Sequence, residues 1–124
     1  MPSTKSEPAR SDAARSDAAR SDGARSDAAL RQRRILDVLM ALQPGEVVTY
    51  GDVAEVAGYP KLPRLVGHIL ATTEVDVPWW RVVNSAGRLV PGHERKQAAL
   101  LREEDVIVRR GHVRSAPHGK FSEL

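Results

Sequence analysis

The pattern of the chain changes at Leu30, and the hydrophobic residues from Ile35 onward recur at the three- and four-residue spacing of one face of an α-helix. This first stretch is closed by Pro44-Gly45, a pair that ends helices. Ahead of it, residues 9–27 repeat Ala-Arg-Ser-Asp every five residues and contain no large apolar side chain. That period fits neither a helical face nor a strand, so residues 1–29 are predicted to be a tail that is disordered or transiently helical. The predicted helix buries Ile35, Leu36, Leu39 and Leu42.

Two shorter apolar stretches follow as a pair. Thr49 stands three residues before Asp52, the spacing of a capping box, and Gly58 is placed to end the helix between them. Pro63 suits the first turn of the next helix. Two short helices with a tight connection predict a helix-turn-helix. Its second helix is expected to expose Lys61, Arg64 and His68.

The chain after residue 80 shows strand and turn signals. Residues 81–83 and 88–90 are predicted strands, and Asn84-Ser85-Ala86-Gly87 between them reads as a turn. The hairpin would form a small β wing. A last helix is predicted over residues 95–104, and a short strand over residues 106–108.

These elements predict one domain over residues 30–113. Its fold class is α+β, mainly helical with a small β wing, of the winged helix-turn-helix type. Residues 114–124 lack periodicity and are predicted to be a mobile C-terminal tail. Within residues 1–29 the cations and anions are equal in number, so the net charge of +3 belongs to the domain. A modestly basic domain admits a nucleic acid as its partner without requiring one.

Composition excludes several classes of site. With no cysteine in 124 residues, disulfides, thiolate nucleophiles and cysteine-bound zinc are excluded. The four histidines lack the spacing of a metal site, so no metal or other cofactor is expected. No apolar run reaches the length of a membrane span, and the chain is expected to be cytoplasmic.

Three blocks, in order, carry a family resemblance: "GEVVTYGDVAEVAGYPKLPRLVGHIL", "VPWWRVVNSAGRLV" and "ALLREEDV". Together they resemble the DNA-binding domain of the O6-alkylguanine-DNA alkyltransferases, whose Pro-Cys-His-Arg-Val motif contains the alkyl-accepting cysteine. Here Trp79 stands at the cysteine position, as it does in the alkyltransferase-like proteins. Those proteins bind alkylated guanine without repairing it and direct it to nucleotide excision repair. Their usual motif keeps the histidine, whereas this chain has Trp80 there.

The chemistry of the substituted residues agrees with the resemblance. Alkyl transfer needs an activated nucleophile, and the indole of Trp79 offers no lone pair for it. Trp80 stands in place of the histidine of the alkyltransferases' proton relay and so interrupts that relay. Glu104 matches the family's glutamate and is expected to be a structural hydrogen-bond acceptor, for example for an indole N–H. Arg81 is expected to be a buried organiser that donates to carbonyl groups near the pocket. The resemblance thus implies a protein that is not an enzyme.

A protein that recognises a modified base in a duplex must extrude the nucleotide, and the free energy that this extrusion costs can be offset by stacking the base on an aromatic side chain. The resemblance implies a lesion pocket formed by Tyr50, Trp79, Val83 and His93, with His93 from a lid over residues 88–95. Neighbours on an extended chain point to opposite sides, so Trp80 would face the core. The alternative for Trp79 is a plain core tryptophan.

For DNA contact the resemblance implies Tyr50, Lys61, Arg64, Gly67 and His68. Arg64 matches the arginine that enters the base stack, and Tyr50 matches a tyrosine beside the flipped nucleotide's phosphate. His68 replaces a small residue of the family, and the family's asparagine is absent from residues 71–74. The alternatives are a phosphate-facing arginine and a core tyrosine.

The resemblance therefore implies a monomeric sensor of O6-alkylguanine in double-stranded DNA, with nucleotide excision repair proteins as further partners. Bound to DNA, it would be associated with the nucleoid. Two other classes stay open. A winged-helix transcription regulator would read sequence as a symmetric dimer. A glycosylase would release the flipped base through Glu104 or His93 and leave an abasic site.

Overall fold

The computed structural model describes the backbone of residues 12–122 and the side chains of residues 26–122. The described residues fall into two compact units, which are divided between Arg31 and Gln32. Its helices are α1 (Asp12–Met40), α2 (Tyr50–Ala57), α3 (Pro63–Thr72) and α4 (Glu94–Glu103), with a 3₁₀ turn at Trp79–Arg81. Its strands are β1 (Glu46–Thr49), β2 (Val82–Val83), β3 (Ile107–Arg109), β4 (His112–Ser115) and β5 (His118–Gly119). The predicted α+β class, mainly helical with small sheets, is confirmed.

Helix α1 is longer than the predicted first helix. The sequence predicts a tail that is disordered or transiently helical up to residue 29, whereas the structure gives helix from Asp12 onward. Alanine has the highest helix propensity, which favours this conformation even without a buried stripe. Residues 1–11 of the predicted tail lie outside the described residues. The separation of a tail from a domain at residue 30 stays a prediction.

The helix-turn-helix forms through the predicted local signals. The Thr49 hydroxyl accepts from the Asp52 amide at 3.0 Å, and the Asp52 carboxylate accepts from the Thr49 amide at 3.0 Å, so the capping box is confirmed. Gly58 ends α2 at φ 98°, and Pro63 occupies the first turn of α3. Within residues 32–122 these helices bury one apolar cluster: Ile35, Leu39, Leu42, Val53, Ala54, Ala57, Val66, Ile69, Val77 and Val82.

The predicted wing is wrong in its pairing. Strand β2 pairs in parallel with β1, with Val48 opposite Val82. Residue Arg88 forms a bridge with His112 instead of closing a hairpin on β2. The Asn84 turn does form, because its side chain accepts from the amides of residues 86 and 88. A short hairpin is marginal by itself, and pairing with β1 and β4 buries more of its apolar side chains.

The C-terminal residues also differ from the predicted mobile tail. Strand β4 pairs antiparallel with β3, and β5 pairs in parallel with β1, so that Glu46 lies opposite His118. Phe121 is buried in the second apolar cluster. Strands this short leave no periodicity to detect in a sequence, and the burial comes from Ala116 and the ring of Phe121. Among the described residues, no helix is long and apolar enough to cross a membrane.

Candidate nucleic-acid interface

The two adjacent tryptophans occupy a single 3₁₀ turn and serve different clusters. Pro78 caps the turn, which covers Trp79–Arg81. Trp79 packs against the cluster of the helix-turn-helix, and Trp80 packs against the second cluster, beside β2 and α4. The rings meet edge to face, with centroids 6.3 Å apart. An extended chain was expected here, but a turn of three residues separates neighbouring side chains as well.

Trp79 faces a cavity of about 350 Å³, which we call the Trp79 cavity. The His93 ring lies edge-on to Trp79 at a centroid distance of 5.9 Å. Gly67 also lines the cavity and stands next to Tyr50, since a Cβ at residue 67 would lie 3.8 Å from the tyrosine ring. The absent side chain of Gly67 therefore leaves room inside the cavity. The full lining is Tyr50, Gly67, Leu70, Ala71, Trp79, Val90 and His93.

The structure brings together three of the four residues expected in the pocket: Tyr50, Trp79 and His93. Val83 is the exception, because it is fully buried in the second apolar cluster. Its strand pairs with β1, and both of its residues face apolar neighbours. The sequence interpretation missed Leu70, Ala71 and Val90. The first two follow Gly67 at helical spacing, a signal that was available in the sequence.

Two of the expected DNA-contacting side chains, Arg64 and His68, lie on α3 beside the residues that line the cavity. Lys61, Arg64 and His68 are all exposed. Arg64 and His68 are one helical turn apart on α3, and each lies three residues before a cavity residue, Gly67 or Ala71. Residues at that spacing are neighbours on a helix surface. A row of cationic or titratable side chains therefore runs beside the row that lines the cavity.

A polar cluster centred on Glu104 supports the turn from below. Its carboxylate accepts from the Trp80 indole N–H at 2.9 Å, from the Gly45 amide at 2.8 Å, and from Arg81 at 2.7 Å and 3.0 Å. Arg81 also donates to the Leu42 carbonyl at 2.9 Å. The expected hydrogen bonds of Trp80, Arg81 and Glu104 are thus present.

Burial alone would raise the pKa of Glu104. The hydrogen bonds from Arg81, Gly45 and Trp80, and the charge of Arg81, outweigh burial and lower the pKa of Glu104 below its ordinary value. The carboxylate is therefore ionised and engaged at neutral pH. Burial raises the pKa of Tyr50, which keeps its hydroxyl protonated beside the cavity.

Gln97 is a supporting residue that the sequence interpretation did not find. It is fully buried on α4. Its amide nitrogen donates to the carbonyls of Trp80 and Val82, and its oxygen accepts from the Val90 amide at 2.7 Å. One side chain thus ties the tryptophan turn to the segment that supplies Val90. A buried glutamine on the apolar face of a helix is the signal that sequence reasoning could have used.

The cavity lining offers stacking surface and few reactive groups. An indole, a phenol and an imidazole meet aliphatic side chains there. None of the lining side chains is a carboxylate or a thiol. Within residues 26–122, no three histidine, aspartate or glutamate residues are grouped so as to hold a metal ion. The arrangement suits the binding of a flat ring better than bond-making chemistry.

Residues 31–106 match the family model described as 6-O-methylguanine DNA methyltransferase, DNA binding domain. The chain belongs to this family. It is 36% identical over 86 residues to the DNA base-flipping protein of Escherichia coli, covering 65% of this chain and 67% of that one. It is 34% identical to alkyltransferase-like protein 1 of Schizosaccharomyces pombe, covering 60% of this chain and 75% of that one.

Solved structures of family members have the same fold. The S. pombe Atl1 complex with damaged DNA containing O6-carboxymethylguanine superposes with a TM-score of 0.60 at 30% identity, covering 67% of this chain and 85% of that one. The Mycobacterium tuberculosis OGT complex with DNA gives 0.53 at 32% identity, covering 59% and 48%. The chain is thus an alkyltransferase-like member of the family, with Trp79 in its Pro-Trp motif.

Proposed function

We propose that this protein is a non-enzymatic sensor that binds O6-alkylguanine in duplex DNA by nucleotide flipping and directs it to nucleotide excision repair. The observation that carries the proposal is the position of Trp79. Its indole lines a cavity beside the exposed Arg64 and His68 of α3, at the sequence position where the resemblance places the reactive cysteine of the alkyltransferases. A relative of known structure binds DNA containing an O6-alkylated guanine, which supports the same ligand class here.

The size and lining of the Trp79 cavity support a flipped base as its occupant. An apolar cavity of about 150 Å³ holds benzene, so a volume of about 350 Å³ has room for a purine with a short substituent. Extruding a nucleotide costs a few kcal/mol, and stacking on an aromatic side chain returns roughly 1–3 kcal/mol. Trp79 and Tyr50 supply such faces, while Leu70 and Val90 offer apolar contact to an alkyl group.

Arg64 is proposed to hold the duplex open. A guanidinium is planar and always charged, so it can stack on bases and donate to the partner left behind by the flipped nucleotide. Lys61 and His68 are proposed to contact the adjacent phosphates. Phosphate contacts position a protein on DNA without reading the sequence, so these residues would support all duplexes equally.

Fluorescence anisotropy with two duplexes, identical except for one O6-methylguanine, tests the proposal. We expect the wild-type protein to prefer the alkylated duplex, with no alkyl group on the protein by mass spectrometry. The variants Trp79→Ala and Arg64→Ala should reduce the preference about tenfold, since one stacking contact is worth about 1.4 kcal/mol or more. Arg109→Ala, an exposed cation on β3, is the matched control and should keep the preference.

Equal affinity of the wild-type protein for both duplexes would refute lesion sensing. An abasic site in the bound DNA would assign the protein to the glycosylases instead. The hand-over to repair is tested separately, with a reconstituted excision nuclease on the alkylated duplex. Incision should rise when the wild-type protein is added and should not rise with Trp79→Ala. An unchanged incision rate with the wild-type protein would refute the hand-over and leave lesion sensing intact.

A further inference from the structure

A second cavity, of about 330 Å³, lies between the end of α1, strand β1 and helix α2. We call it the α1–α2 groove. It shares no lining residue with the Trp79 cavity. Its floor is aliphatic and its rim is acidic. The side chains that matter are Val38, Val48 and Val56 of the floor and Asp37, Glu46 and Asp52 of the rim.

Val56 is the feature of the groove that folding does not explain. Its side chain is 73% exposed on α2, the largest exposed fraction among the bulky apolar residues described. The packing face of α2 is formed by Val53, Ala54 and Ala57, which are buried. A β-branched residue lowers helix propensity, and an exposed one gains no packing in return. An exposed apolar side chain that favours neither the helix nor the packing of the core indicates a surface that another molecule covers.

The charges of the groove indicate which kind of molecule this is. Three of the nine lining residues are carboxylic acids and none is basic, in a chain whose net charge is +3. Two cations offset part of the charge: the Lys120 amine lies 3.8 Å from Asp52, and Arg34 lines an adjoining hollow together with Asp37 and Val56. The Asp52 carboxylate also accepts a hydrogen bond from the Thr49 backbone amide, and the Glu46 carboxylate accepts one from the Gln43 amide. A polyanion such as DNA is repelled by this lining, whereas a cationic segment is attracted.

We propose that the α1–α2 groove docks a cationic amphipathic helix of a partner protein. Its leucine-like side chains would enter the floor, and its lysine or arginine side chains would meet the rim carboxylates. A hydrophobic groove is a recurrent receptor for the apolar face of an amphipathic helix. Since about 150 Å³ holds benzene, the groove has room for about two large aliphatic side chains. The Arg-containing repeat of a second copy is a poor occupant, because its largest apolar residue is alanine.

The groove also provides a place where a partner can bind while DNA occupies the other site. The two cavities use different residues of α2, with Tyr50 in one and Asp52, Val53 and Val56 in the other. A helix docked in the groove therefore does not need to displace a flipped base. The proposal concerns a surface outside the lesion site and holds whether or not the protein senses alkylated guanine.

The test uses the full chain and a synthetic leucine–lysine helix of about 15 residues, a length at which such peptides become helical. Two control peptides are used beside it: one has the same composition in scrambled order, and the other has glutamate in place of lysine. Binding is followed by ¹⁵N–¹H correlation spectra and by anisotropy of the labelled peptide. Two groove variants, Val56→Asp and Asp37→Lys, are matched with Val75→Asp and Glu74→Lys, which change exposed residues outside both cavities.

We expect the leucine–lysine helix to shift the resonances of the groove residues. Val56→Asp should weaken binding about tenfold, because it replaces an apolar contact with the peptide by a carboxylate that must lose water, and Asp37→Lys should weaken it mainly at low salt. The control variants should bind like the wild type, and Val56→Asp should bind duplex DNA normally. Three outcomes would overturn the proposal: shifts centred elsewhere, equal binding of the scrambled or glutamate peptide, and self-association of the protein mapped to the groove.

Discussion

Replacing Glu104 by glutamine keeps the shape of the side chain and removes its charge. In the folded protein the two carboxylate oxygens accept from Gly45, Trp80 and Arg81. An amide group has one oxygen, so in either orientation its NH₂ group meets at least one of these donors. Arg81 keeps its bond to the Leu42 carbonyl but loses its counter-ion. The substitution therefore leaves a guanidinium unpaired in a place where water has little access.

The expected loss of stability in Glu104→Gln follows from how deeply the Arg81–Glu104 ion pair is buried. The side chains of Arg81 and Glu104 are 11% and 13% exposed. Breaking a buried ion pair by removing one partner costs about 3–5 kcal/mol. Because these side chains keep some contact with water, we expect Glu104→Gln to cost about 3 kcal/mol. A domain is stable by roughly 5–15 kcal/mol, so this variant should still fold.

Urea unfolding, followed by tryptophan fluorescence and far-ultraviolet circular dichroism, measures this cost. The midpoint should fall with an unchanged slope. The neighbouring Glu103→Gln is the matched control, since Glu103 is exposed, and it should change the free energy of unfolding by less than about 0.5 kcal/mol. The double variant Arg81→Met/Glu104→Leu should recover only part of the loss, because it removes both charges together but leaves the Gly45 amide and the Trp80 indole N–H without their acceptor. A Glu104→Gln protein as stable as the control would refute the reasoning.

Three further predictions concern stability and the cavity. The pKa of Glu104 is lower in the folded protein than in the unfolded chain. Its contribution to stability is therefore complete above its pKa in the unfolded chain, and it is lost as the pH falls through its pKa in the folded protein. In urea unfolding at a series of acid pH values, the free energy of unfolding should decline less steeply for Glu104→Gln than for the wild type. Gly119→Ala should lower the free energy of unfolding in urea by about 2 kcal/mol or more, since φ is +87° and the new Cβ would overlap the Val47 carbonyl. Its control is Gly92→Ala, at φ +86° with open space around it, which should lower the free energy of unfolding only by the backbone strain of about 1 kcal/mol. Gly67→Leu should abolish lesion preference in anisotropy by filling the Trp79 cavity, without lowering stability, because leucine favours a helix by close to 1 kcal/mol over glycine. A stable Gly67→Leu protein that keeps its preference would contradict the assigned cavity.

Local signals were enough to predict the helix-turn-helix. The spacing of Thr49 and Asp52, the placement of Gly58 and the position of Pro63 each act within one turn of chain, and each has the predicted role in the structure. Arg81 was also predicted correctly as a donor to a backbone carbonyl, since a buried arginine must find acceptors. Such features depend on neighbours in sequence or on the chemistry of one side chain.

The errors concern contacts between distant parts of the chain. Val83 was expected in the pocket, but pairing of its strand with β1 fixes which way it faces. The predictions of a hairpin at residues 81–90 and of a mobile tail, as far as residue 122, failed for the same reason: Arg88 bridges to His112 of β4, and β5 pairs with β1. A two-residue strand carries almost no pattern, so only the assembled sheet determines its register.

Strand β1 is the central strand of its sheet, with β2 on one side and β5 on the other. A ribosome therefore delivers residues 46–49 long before the segment around His118 that completes their hydrogen bonding. In that interval one edge of β1 is open to any other extended chain nearby. Nascent molecules, and products of proteolysis or a premature stop codon that lack residues 118–121, should share this weakness. For them the hazard is aggregation in the cell rather than a defect in recognising DNA.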